Sequence, residues 1–203
     1  MNDKVVTIGV AKGYLLKESL AFFNKLGIEP SEFSDRQLIF FDKTKKYRFM
    51  LLRPTDVPVY VEHGVVDIGI TGMDIIKENK PDVIVLKDLG FGQCRLVVCN
   101  SELSKNDEFF SGLKVATKFV ECTKEYFNNL GIKVDLIKLY GSVELAAITG
   151  LSDFIVDLVA SGQTLKENKL KEVAPIFSST AHLVVNKVFY SMNFPLIKEL
   201  WKL

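Results

Sequence analysis

The sequence has few thiols and no long apolar run. Its three cysteines, Cys94, Cys99 and Cys122, form no CxxC pair, and two histidines are too few to complete a zinc site. An odd and sparse set of cysteines is typical of a reducing compartment, where buried and unreactive thiols are expected. The amino-terminal segment lacks the apolar core of a signal peptide, and no run approaches the ~20 apolar residues that cross a bilayer. These absences predict a cytoplasmic protein.

Motifs of several large enzyme classes are also missing. The sequence contains no GxxxxGK(S/T) loop and no GxGxxG turn, which argues against Walker-type nucleotidases and dinucleotide-dependent dehydrogenases. His182 has no serine or cysteine partner in an elbow motif, so a hydrolase triad is not indicated. The net charge is only +1, so general attraction to nucleic acid or to a membrane is not expected. Any anionic ligand must therefore be held by local groups.

Arginine is scarce. Only four of the 26 basic residues are arginines, at Arg36, Arg48, Arg53 and Arg95. In so lysine-rich a chain, an arginine indicates a need for the planar, permanently charged fork that holds phosphate oxygens through two hydrogen bonds. Arg53 stands at the end of a predicted strand before Pro54, where α/β folds place ligand-binding residues. A surface ion pair is the alternative for Arg53, and Arg48, in mid-strand, is expected to be solvated.

Strand-like and helix-like segments alternate along the chain, which predicts an α/β fold with mainly parallel sheets. The strands at 37–41 and 48–52 are predicted to form a hairpin. Glycines before and after Phe91 separate two blocks of about 90 residues each, and two such lobes would leave a cleft suited to a small ligand. The predicted strands are 4–10, 37–41, 48–52, 66–70, 82–88, 94–99, 113–117, 134–139, 154–159, 173–177 and 181–185; the predicted helices are 14–26, 56–63, 72–79, 121–130, 141–149, 161–168 and 194–203.

The sharpest local signal follows the predicted strand 154–159, where the turn SGQT at residues 161–164 opens a helix. Backbone N–H groups, two hydroxyls and the helix dipole make such a turn a cradle for a phosphate, and its glycine permits a close backbone approach. Asp153 and Asp157 are spaced to share one face of the strand that leads into it. The alternative is an ordinary capped helix, with Asp157 bonded to a neighbouring loop.

Two further positions could contact a ligand. Lys12-Gly13 follows the first predicted strand, so it either binds an anion in the same way or simply turns the chain. Glu144 falls in the first turn of a predicted helix, where a carboxylate either binds a ligand or complements the helix dipole. Both alternatives stay open at each position.

Taken in order, these segments resemble the catalytic subunit of the ATP phosphoribosyltransferase family in its short form, which opens histidine biosynthesis. The resemblance covers most of residues 5–186, through the stretches VAKGYLLKESL, RPTDVPVYVEHGVVDIGITGMD, DLGFGQCRLVV, KVATKF, KLYGSVELAAITGLSDFIVDLVASGQTLKENKL and AHLVVNK. It implies a two-lobed fold like that of type II periplasmic binding proteins, with a cleft between the lobes. Lobe I would comprise residues 1–90 and 179–203. Lobe II, residues 91–178, would carry the loop for phosphoribosyl pyrophosphate (PRPP).

The resemblance also implies a reaction and its partners. N1 of the adenine of ATP would join C1 of the ribose of PRPP, with inversion and release of pyrophosphate, to give phosphoribosyl-ATP. Mg²⁺ would screen the phosphates, and no residue is expected as a dedicated metal ligand. A homodimer within a hetero-oligomer is implied, with a regulatory subunit related to histidyl-tRNA synthetase. A non-catalytic, two-lobed module that binds a small molecule is the alternative, because fold alone does not set function.

In lobe II, the resemblance implies a site for PRPP. Four consecutive residues would hold its 5′-phosphate: Ser161, Gly162, Gln163 and Thr164. Three carboxylates would face the ribose hydroxyls: Asp153, Asp157 and Glu144. The family commonly has Thr-Gly where this chain has Ser161-Gly162, a change that keeps the hydroxyl.

Cations are implied for the remaining phosphates. Arg53 and Arg36 would be catalytic residues that neutralise the pyrophosphate of PRPP and the triphosphate of ATP. ATP or its phosphates would also be bound by three further residues: Lys12, Gly13 and Arg95. Arg95 would line the junction of the lobes together with Gly92 and Cys94. The first motif of the family is commonly Lys-Gly-Arg, whereas Tyr14 stands here at the third position and removes that guanidinium.

Overall fold

The structure, a computed structural model, describes residues 5–34, 36–104 and 107–202. The described residues form two compact units. Unit 1 runs to Gly92 and resumes at Thr180, and unit 2 is Gln93–Ser179. Residue 4 of the first predicted strand and residue 203 of the last predicted helix lie outside the described residues.

The strands of the described residues, numbered in chain order, are β1 (Val6–Ala11), β2 (Ile39–Phe41), β3 (Tyr47–Leu52), β4 (Ile68–Gly72), β5 (Ile84–Asp88), β6 (Cys94–Ser101), β7 (Leu113–Thr117), β8 (Val134–Lys138), β9 (Phe154–Val159), β10 (Leu170–Ser179) and β11 (Ala181–Val185). The helices are α1 (Leu16–Lys25), α2 (Val57–Glu62), α3 (Met73–Asn79), α4 (Val120–Asn129), α5 (Glu144–Ile148), α6 (Gln163–Glu167), α7 (Lys187–Met192) and α8 (Phe194–Lys202). Each predicted strand and helix has a counterpart here, and α7 is a helix that the sequence patterns did not predict.

Unit 1 contains a six-stranded sheet in the order β2-β3-β1-β4-β11-β5. β1 pairs in parallel with β3 and β4, so the carboxyl ends of these three strands meet at one edge, which we call the carboxyl edge of unit 1. β2 and β3 form the predicted antiparallel hairpin, with Phe40 opposite Phe49. β11 returns from the carboxyl-terminal part of the chain and inserts antiparallel between β4 and β5.

The α/β fold class is confirmed, but the prediction of mainly parallel sheets is wrong. Among the described strands, four pairs are parallel and five are antiparallel. The apolar pattern of a strand reports how deeply it is buried, and intervening helices indicate crossovers. Neither reveals a strand such as β11, which enters a sheet from a distant part of the chain.

Helices cover both faces of the unit 1 sheet. On one face, the aromatic core of Phe23 and Phe49 packs with α7 and α8. On the other face, α2 lies so close to β4 that a Cβ on Gly69 would be 2.7 Å from Cγ1 of Val57. Glycine at position 69 therefore lets α2, and the turn that precedes it, approach the sheet.

Unit 2 contains a five-stranded sheet in the order β10-β6-β9-β7-β8. β7, β8 and β9 are parallel, so the loops that follow them leave from one edge, the carboxyl edge of unit 2. Side chains alternate between the two faces of the sheet. Ala116, Ile155 and Val159 pack with α5 and α6 on what we call the α5/α6 face, whereas Phe154 packs with Phe109 on the other face.

Arg48 is not the solvated side chain that its mid-strand position predicted. It lies opposite Thr7 in the β1–β3 pair, and its Nη2 donates to Thr7 Oγ1 at 2.8 Å. The Thr7 N–H in turn donates to Oδ2 of the buried Asp67 at 2.8 Å. Arg48 is therefore part of the hydrogen bonding within the sheet, which periodicity alone does not reveal.

Candidate functional site

The turn at residues 161–164 follows β9 at the carboxyl edge of unit 2. Gly162 has a φ of +78°, a left-handed conformation that favours glycine, and α6 begins at the next residue. The N–H of Gln163 donates to Ser161 Oγ at 3.3 Å. Ser161, Gln163 and Thr164 are exposed, so two hydroxyls and the start of a helix are open to a ligand. A Cβ at position 162 would make a single ordinary contact, so conformation rather than space requires the glycine.

Asp157 lies on the α5/α6 face of β9 and is half-buried. Burial raises the pKa of its carboxyl above the ordinary value. A hydrogen bond from the backbone of Leu158 and the positive charge of Lys118 lower that pKa, whereas the negative charge of Glu144 raises it further. A carboxylate in these surroundings is available to accept hydrogen bonds from the hydroxyls of a sugar.

Glu144 is the first residue of α5 and is half-buried. Its negative charge raises the pKa of the Asp157 carboxyl and of the Cys99 thiol, and α5 packs on the face of β9 that carries Asp157. The structure thus brings Glu144 and Asp157 together at the edge that carries the 161–164 turn.

Asp153 does not join these two carboxylates. It precedes β9 at the opposite edge of the sheet, where its Oδ2 accepts a hydrogen bond from the backbone N–H of Lys114 at 2.8 Å. The even spacing from Asp153 to Asp157 places both side chains on the same face of the strand, but it does not place them at the same end. Four residues of extended chain span about 13 Å, so the two carboxylates lie at opposite ends of the strand. The resemblance implied that both aspartates face the ribose hydroxyls of PRPP, but only Asp157 lies at the edge that carries the 161–164 turn.

Arg95 has a carboxylate partner where the resemblance implied a phosphate. Its Nε donates to Glu172 Oε2 at 2.9 Å and its Nη2 to the other carboxylate oxygen, so two arms of the fork are occupied. The remaining Nη1 lies 3.5 Å from the carbonyl oxygen of Ala160, the residue before Ser161. Arg95 therefore links β6, β10 and the entry into the turn.

Three of the predicted cations lie together at the carboxyl edge of unit 1. In the β1–β3 register, the next residues after the two strands are Lys12 and Arg53. Arg36 stands in the turn before β2, on the side of the sheet where antiparallel β2 begins and β3 ends. Both arginines are exposed and Lys12 is half-buried. Gly13, with a φ of +86°, turns the chain, and its carbonyl oxygen accepts from the Leu16 N–H at 3.1 Å as α1 begins.

The turn that carries Arg53 is held by neighbouring backbone and side chains. The carbonyl oxygen of Arg53 accepts from the Asp56 N–H at 2.9 Å, and that of Pro54 accepts from Thr71 Oγ1 at 3.2 Å. Thr71 belongs to β4, so the turn is tied to the strand beyond β1. Tyr14, which replaces the usual arginine of the first motif, is 65% exposed.

The cysteines are largely buried, as predicted. Cys99 and Cys122 are buried, and Cys94, at the start of β6, is half-buried. Burial raises the pKa of the Cys99 thiol to about 12, and the charge of Glu172 acts in the same direction. Such a thiol stays protonated and unreactive at neutral pH. Gly92, in unit 1, has a φ of +70°.

Lys118 is a neighbour of the site that the sequence analysis missed. It directly follows β7, beside Asp157 in the β7–β9 register, and its ammonium lies 5.0 Å from the ring centroid of Phe119. In the sequence, Lys118 is one of many lysines and is marked only by its position at the end of a predicted strand. The pairing of β7 with β9 distinguishes it from the other lysines, because it places Lys118 beside Asp157.

The described residues contain no group of three or more His, Cys, Asp or Glu side chains that could hold a metal ion. Across the same parts of the chain, no helix is both long and apolar enough to cross a membrane. Phosphate oxygens of a bound substrate are the usual additional ligands of Mg²⁺ where protein carboxylates are few.

Comparisons with known proteins agree with one another. The family profile of ATP phosphoribosyltransferase (HisG) matches residues 53–203. The ATP phosphoribosyltransferase of Crocosphaera subtropica is 46% identical over 202 residues, which cover 97% of this chain and 95% of that protein. Sequence similarity thus extends over nearly the whole length of both proteins.

Solved structures agree with the sequence comparison. A chain of the ATP phosphoribosyl transferase (HisG:HisZ) complex from Thermotoga maritima matches with a TM-score of 0.80 and 33% identity, over 97% of each chain. The substrate binding protein of an amino acid ABC transporter matches with a TM-score of 0.63 and 16% identity, over 98% of this chain and 91% of that one, which shows the fold alone. The expected fold of type II periplasmic binding proteins is therefore confirmed. The chain belongs to the ATP phosphoribosyltransferase family.

Proposed function

We propose that this chain catalyses the reaction of its family, the transfer of the phosphoribosyl group of PRPP to N1 of the adenine of ATP. This reaction is the first step of histidine biosynthesis and gives phosphoribosyl-ATP and pyrophosphate. A C1–N1 bond forms while the bond from C1 to pyrophosphate breaks, with inversion at C1. The ribose becomes oxocarbenium-like as negative charge builds on the leaving group. The chain has to align two polyanions and stabilise that charge.

The observation that carries the proposal is the exposed 161–164 turn at the carboxyl edge of unit 2. Its left-handed glycine, its hydroxyls and the N–H groups at the start of α6 are suited to the 5′-phosphate of PRPP. Asp157 and Glu144 lie at the same edge and would accept hydrogen bonds from the ribose hydroxyls. Asp153 is left out of this site, because its carboxylate lies at the other edge.

The cations of unit 1 would bind the pyrophosphate of PRPP, which gains charge as it leaves, and the triphosphate of ATP, whose charge must be neutralised. Arg53 is exposed on a turn whose backbone is tied to β4, so the turn is held in place while the guanidinium is open to a ligand. Lys12 lies beside it by register, and Arg36 stands at the same edge in the turn before β2. We assign Arg53 and Arg36 to the pyrophosphate and the triphosphate, and Lys12 and Gly13 to further phosphate contacts.

Mg²⁺, when bound, supplies screening of the phosphate charge. We propose that it comes with the phosphates of ATP and PRPP. The donor set of the described residues fits this arrangement, since it includes carboxylates near each other but no cluster of three metal-ligating side chains.

The proposed partners follow from the Thermotoga relative, whose structure is that of a HisG:HisZ complex. We infer that this chain also assembles with a regulatory subunit related to histidyl-tRNA synthetase, with a homodimer of the chain inside the hetero-oligomer. Histidine sensing would then reside in that partner. Because the reaction consumes ATP in amino-acid biosynthesis, the proposed location is the cytoplasm.

Ultraviolet absorbance tests the proposed reaction directly. The chain is mixed with ATP, PRPP and Mg²⁺, alone and with the regulatory subunit, and the altered adenine chromophore of the product should appear. Omission of PRPP and replacement of ATP by GTP are the controls, and both should leave the spectrum unchanged. PRPP binding by calorimetry without any spectral change would favour the non-catalytic binding module instead.

A further inference from the structure

We propose that Lys118 binds a phosphate of the sugar substrate and is a residue of the PRPP site. The inference rests on the proposed function, because it extends the assignment of unit 2 to PRPP. The residue follows β7 at the carboxyl edge of unit 2, where its side chain is exposed.

Strand register places Lys118 next to Asp157. β7 and β9 are parallel and pair as far as Thr117 and Val156, so Lys118 and Asp157 are the next residues along the two strands. Lys118 stands where the chain bends after β7, so its place is fixed by the Thr117–Val156 pair that precedes it rather than by alternation along the strand. The positive charge of Lys118 lowers the pKa of the Asp157 carboxyl, in agreement with an ammonium beside that carboxylate.

The backbone on both sides of Lys118 is held in place. Thr117 Oγ1 donates to the carbonyl oxygen of Val156 at 2.8 Å and accepts from the Phe119 N–H at 2.8 Å. The ammonium of Lys118 lies 5.0 Å from the ring centroid of Phe119, a distance typical of a cation–π contact. Because this backbone is already ordered, binding of an anion would cost only side-chain rotamer freedom, part of which the contact with Phe119 already restricts.

The carboxylates at this edge would repel a bound phosphate unless a cation offsets their charge. A sugar phosphate bound at the 161–164 turn has its anionic groups near Asp157 and Glu144, and like charges repel. Arg95 already has Glu172 on its fork. Lys138 ends β8 beside residues that pack on the α5/α6 face, so alternation directs its side chain to the other face. Among the described residues of this edge, Lys118 is the cation best placed to offset the two carboxylates.

Isothermal titration calorimetry of the full chain with PRPP tests the inference. Lys118→Ala should weaken binding about tenfold or more, the usual loss for a hydrogen bond to a charged group. Lys118→Arg should restore most of the affinity, because it keeps the charge. Lys114→Ala is the matched control, since Lys114 is also exposed and lies on β7 at the opposite edge, and this variant should bind as the wild type does.

Ribose 5-phosphate, which lacks the pyrophosphate, identifies the phosphate that is bound. Weaker binding of both ligands to Lys118→Ala would assign Lys118 to the 5′-phosphate. Weaker binding of PRPP alone would assign it to the pyrophosphate. Wild-type affinity of Lys118→Ala for both ligands would overturn the inference.

A pH series separates direct contact from charge balance. Asp157 is faced by Glu144 from α5, Cys99 from β6 and Lys118 after β7. Without the ammonium, the pKa of the Asp157 carboxyl rises further, so the acidic limb of PRPP binding should move to higher pH in Lys118→Ala. If Lys118 only lowered the pKa of Asp157 and did not contact PRPP, the affinity of Lys118→Ala for PRPP at pH values above the acidic limb would equal that of the wild type. That result would also overturn the inference.

The wild-type chain provides a test that needs no variant. Acetylation with acetic anhydride, followed by mass spectrometry, should show Lys118 protected by PRPP and Lys114 labelled equally with and without it. Equal labelling of Lys118 in both conditions would overturn the inference while PRPP binding and turnover still support the proposed function. A wild-type chain that binds no PRPP would overturn the proposed function itself, and the inference with it.

Discussion

The two carboxyl edges present different chemistry to an anion. The edge of unit 1 gathers Lys12, Arg36 and Arg53 from three loops, and neither arginine has an ion-pair partner among the described residues. The edge of unit 2 has a left-handed glycine, exposed hydroxyls and two carboxylates, and its arginine, Arg95, is paired with Glu172. Unit 1 thus relies on side-chain charge, and unit 2 on backbone geometry.

This difference matches the two kinds of phosphate in the proposed reaction. The 5′-phosphate of PRPP does not react, so a fixed cradle that binds it equally throughout is sufficient. The pyrophosphate gains charge as it leaves, and guanidinium groups stabilise that charge most in the transition state. Substitutions at the first edge should therefore change kcat, and those at the second should change the affinity for PRPP.

The largest effect is expected at the edge of unit 1. Arg53→Ala should lower kcat by the equivalent of about 2–4 kcal/mol, as for other electrostatic stabilisers, with little change in the Kd of PRPP. Arg53→Lys should recover only part of the rate, because it keeps the charge and loses the planar fork. Steady-state kinetics and calorimetry measure both quantities. Turnover at the wild-type rate in Arg53→Ala would remove this residue from the mechanism.

The second prediction concerns the backbone of the turn. Gly162→Ala forces a Cβ into a φ of +78°, which costs about 1–2 kcal/mol, so PRPP affinity should fall about tenfold as the turn relaxes. Gly131→Ala is the control, because its φ is +73° and its surroundings are equally open, but it lies before β8, away from the carboxyl edge. Calorimetry should show normal PRPP affinity in the control. Equal losses in both variants would point to general strain instead.

A third prediction compares stability with binding at Asp157. Burial raises its carboxyl pKa above the ordinary 3.8, so the folded state favours the protonated form. The resulting stability is present below pH 3.8 and is lost as pH rises through the higher folded pKa. Asp157→Asn should therefore raise the Tm at neutral pH, and this rise in Tm should disappear in acid. The same variant should weaken PRPP binding.

Thermal unfolding at neutral and acidic pH measures this effect, and Asp135→Asn serves as its control. Asp135 is exposed on β8, so its substitution should leave the Tm unchanged at both pH values. A lower Tm for Asp157→Asn at neutral pH would mean that the ionised carboxylate stabilises the fold.

The smallest effect is expected from Glu172→Gln, which tests whether Arg95 braces the turn or binds phosphate. The pair is more than one-third exposed on both sides, so its loss should cost no more than about 1 kcal/mol. If Arg95 braces the turn through Ala160, PRPP affinity should fall, by up to about fivefold. If the freed arginine binds phosphate instead, the affinity should rise. Glu125→Gln, at an exposed position of α4, is the control and should change nothing.

Local features of this chain were predictable where a short pattern has one physical meaning. The 161–164 turn and Glu144 at the start of a helix follow from capping and turn chemistry, and both are present as predicted. α7 was predictable by the same means, because Asn186 caps it by accepting from the Val188 and Phe189 N–H groups at 3.0 Å. That signal was overlooked among the strand-like residues around it.

Long-range pairing accounts for what the sequence could not reveal. Asp153 and Lys114, which lie at the wrong edge for the site, differ from Asp157 and Lys118 only by their position along paired strands. The partner of Arg95 is 77 residues away on β10. Such assignments depend on which strands are neighbours and in which direction they run. Local periodicity carries neither kind of information.

The path of β11 has a consequence for the order in which the protein forms during synthesis. β11 occupies the gap between β4 and β5, so the unit 1 sheet is incomplete until residues 181–185 have been translated. All of unit 2 precedes them in the chain, so its residues are complete while β5 still lacks a neighbour. A chain truncated after residue 180 and released from the ribosome should therefore protect unit 2 from protease while β5 remains cleavable.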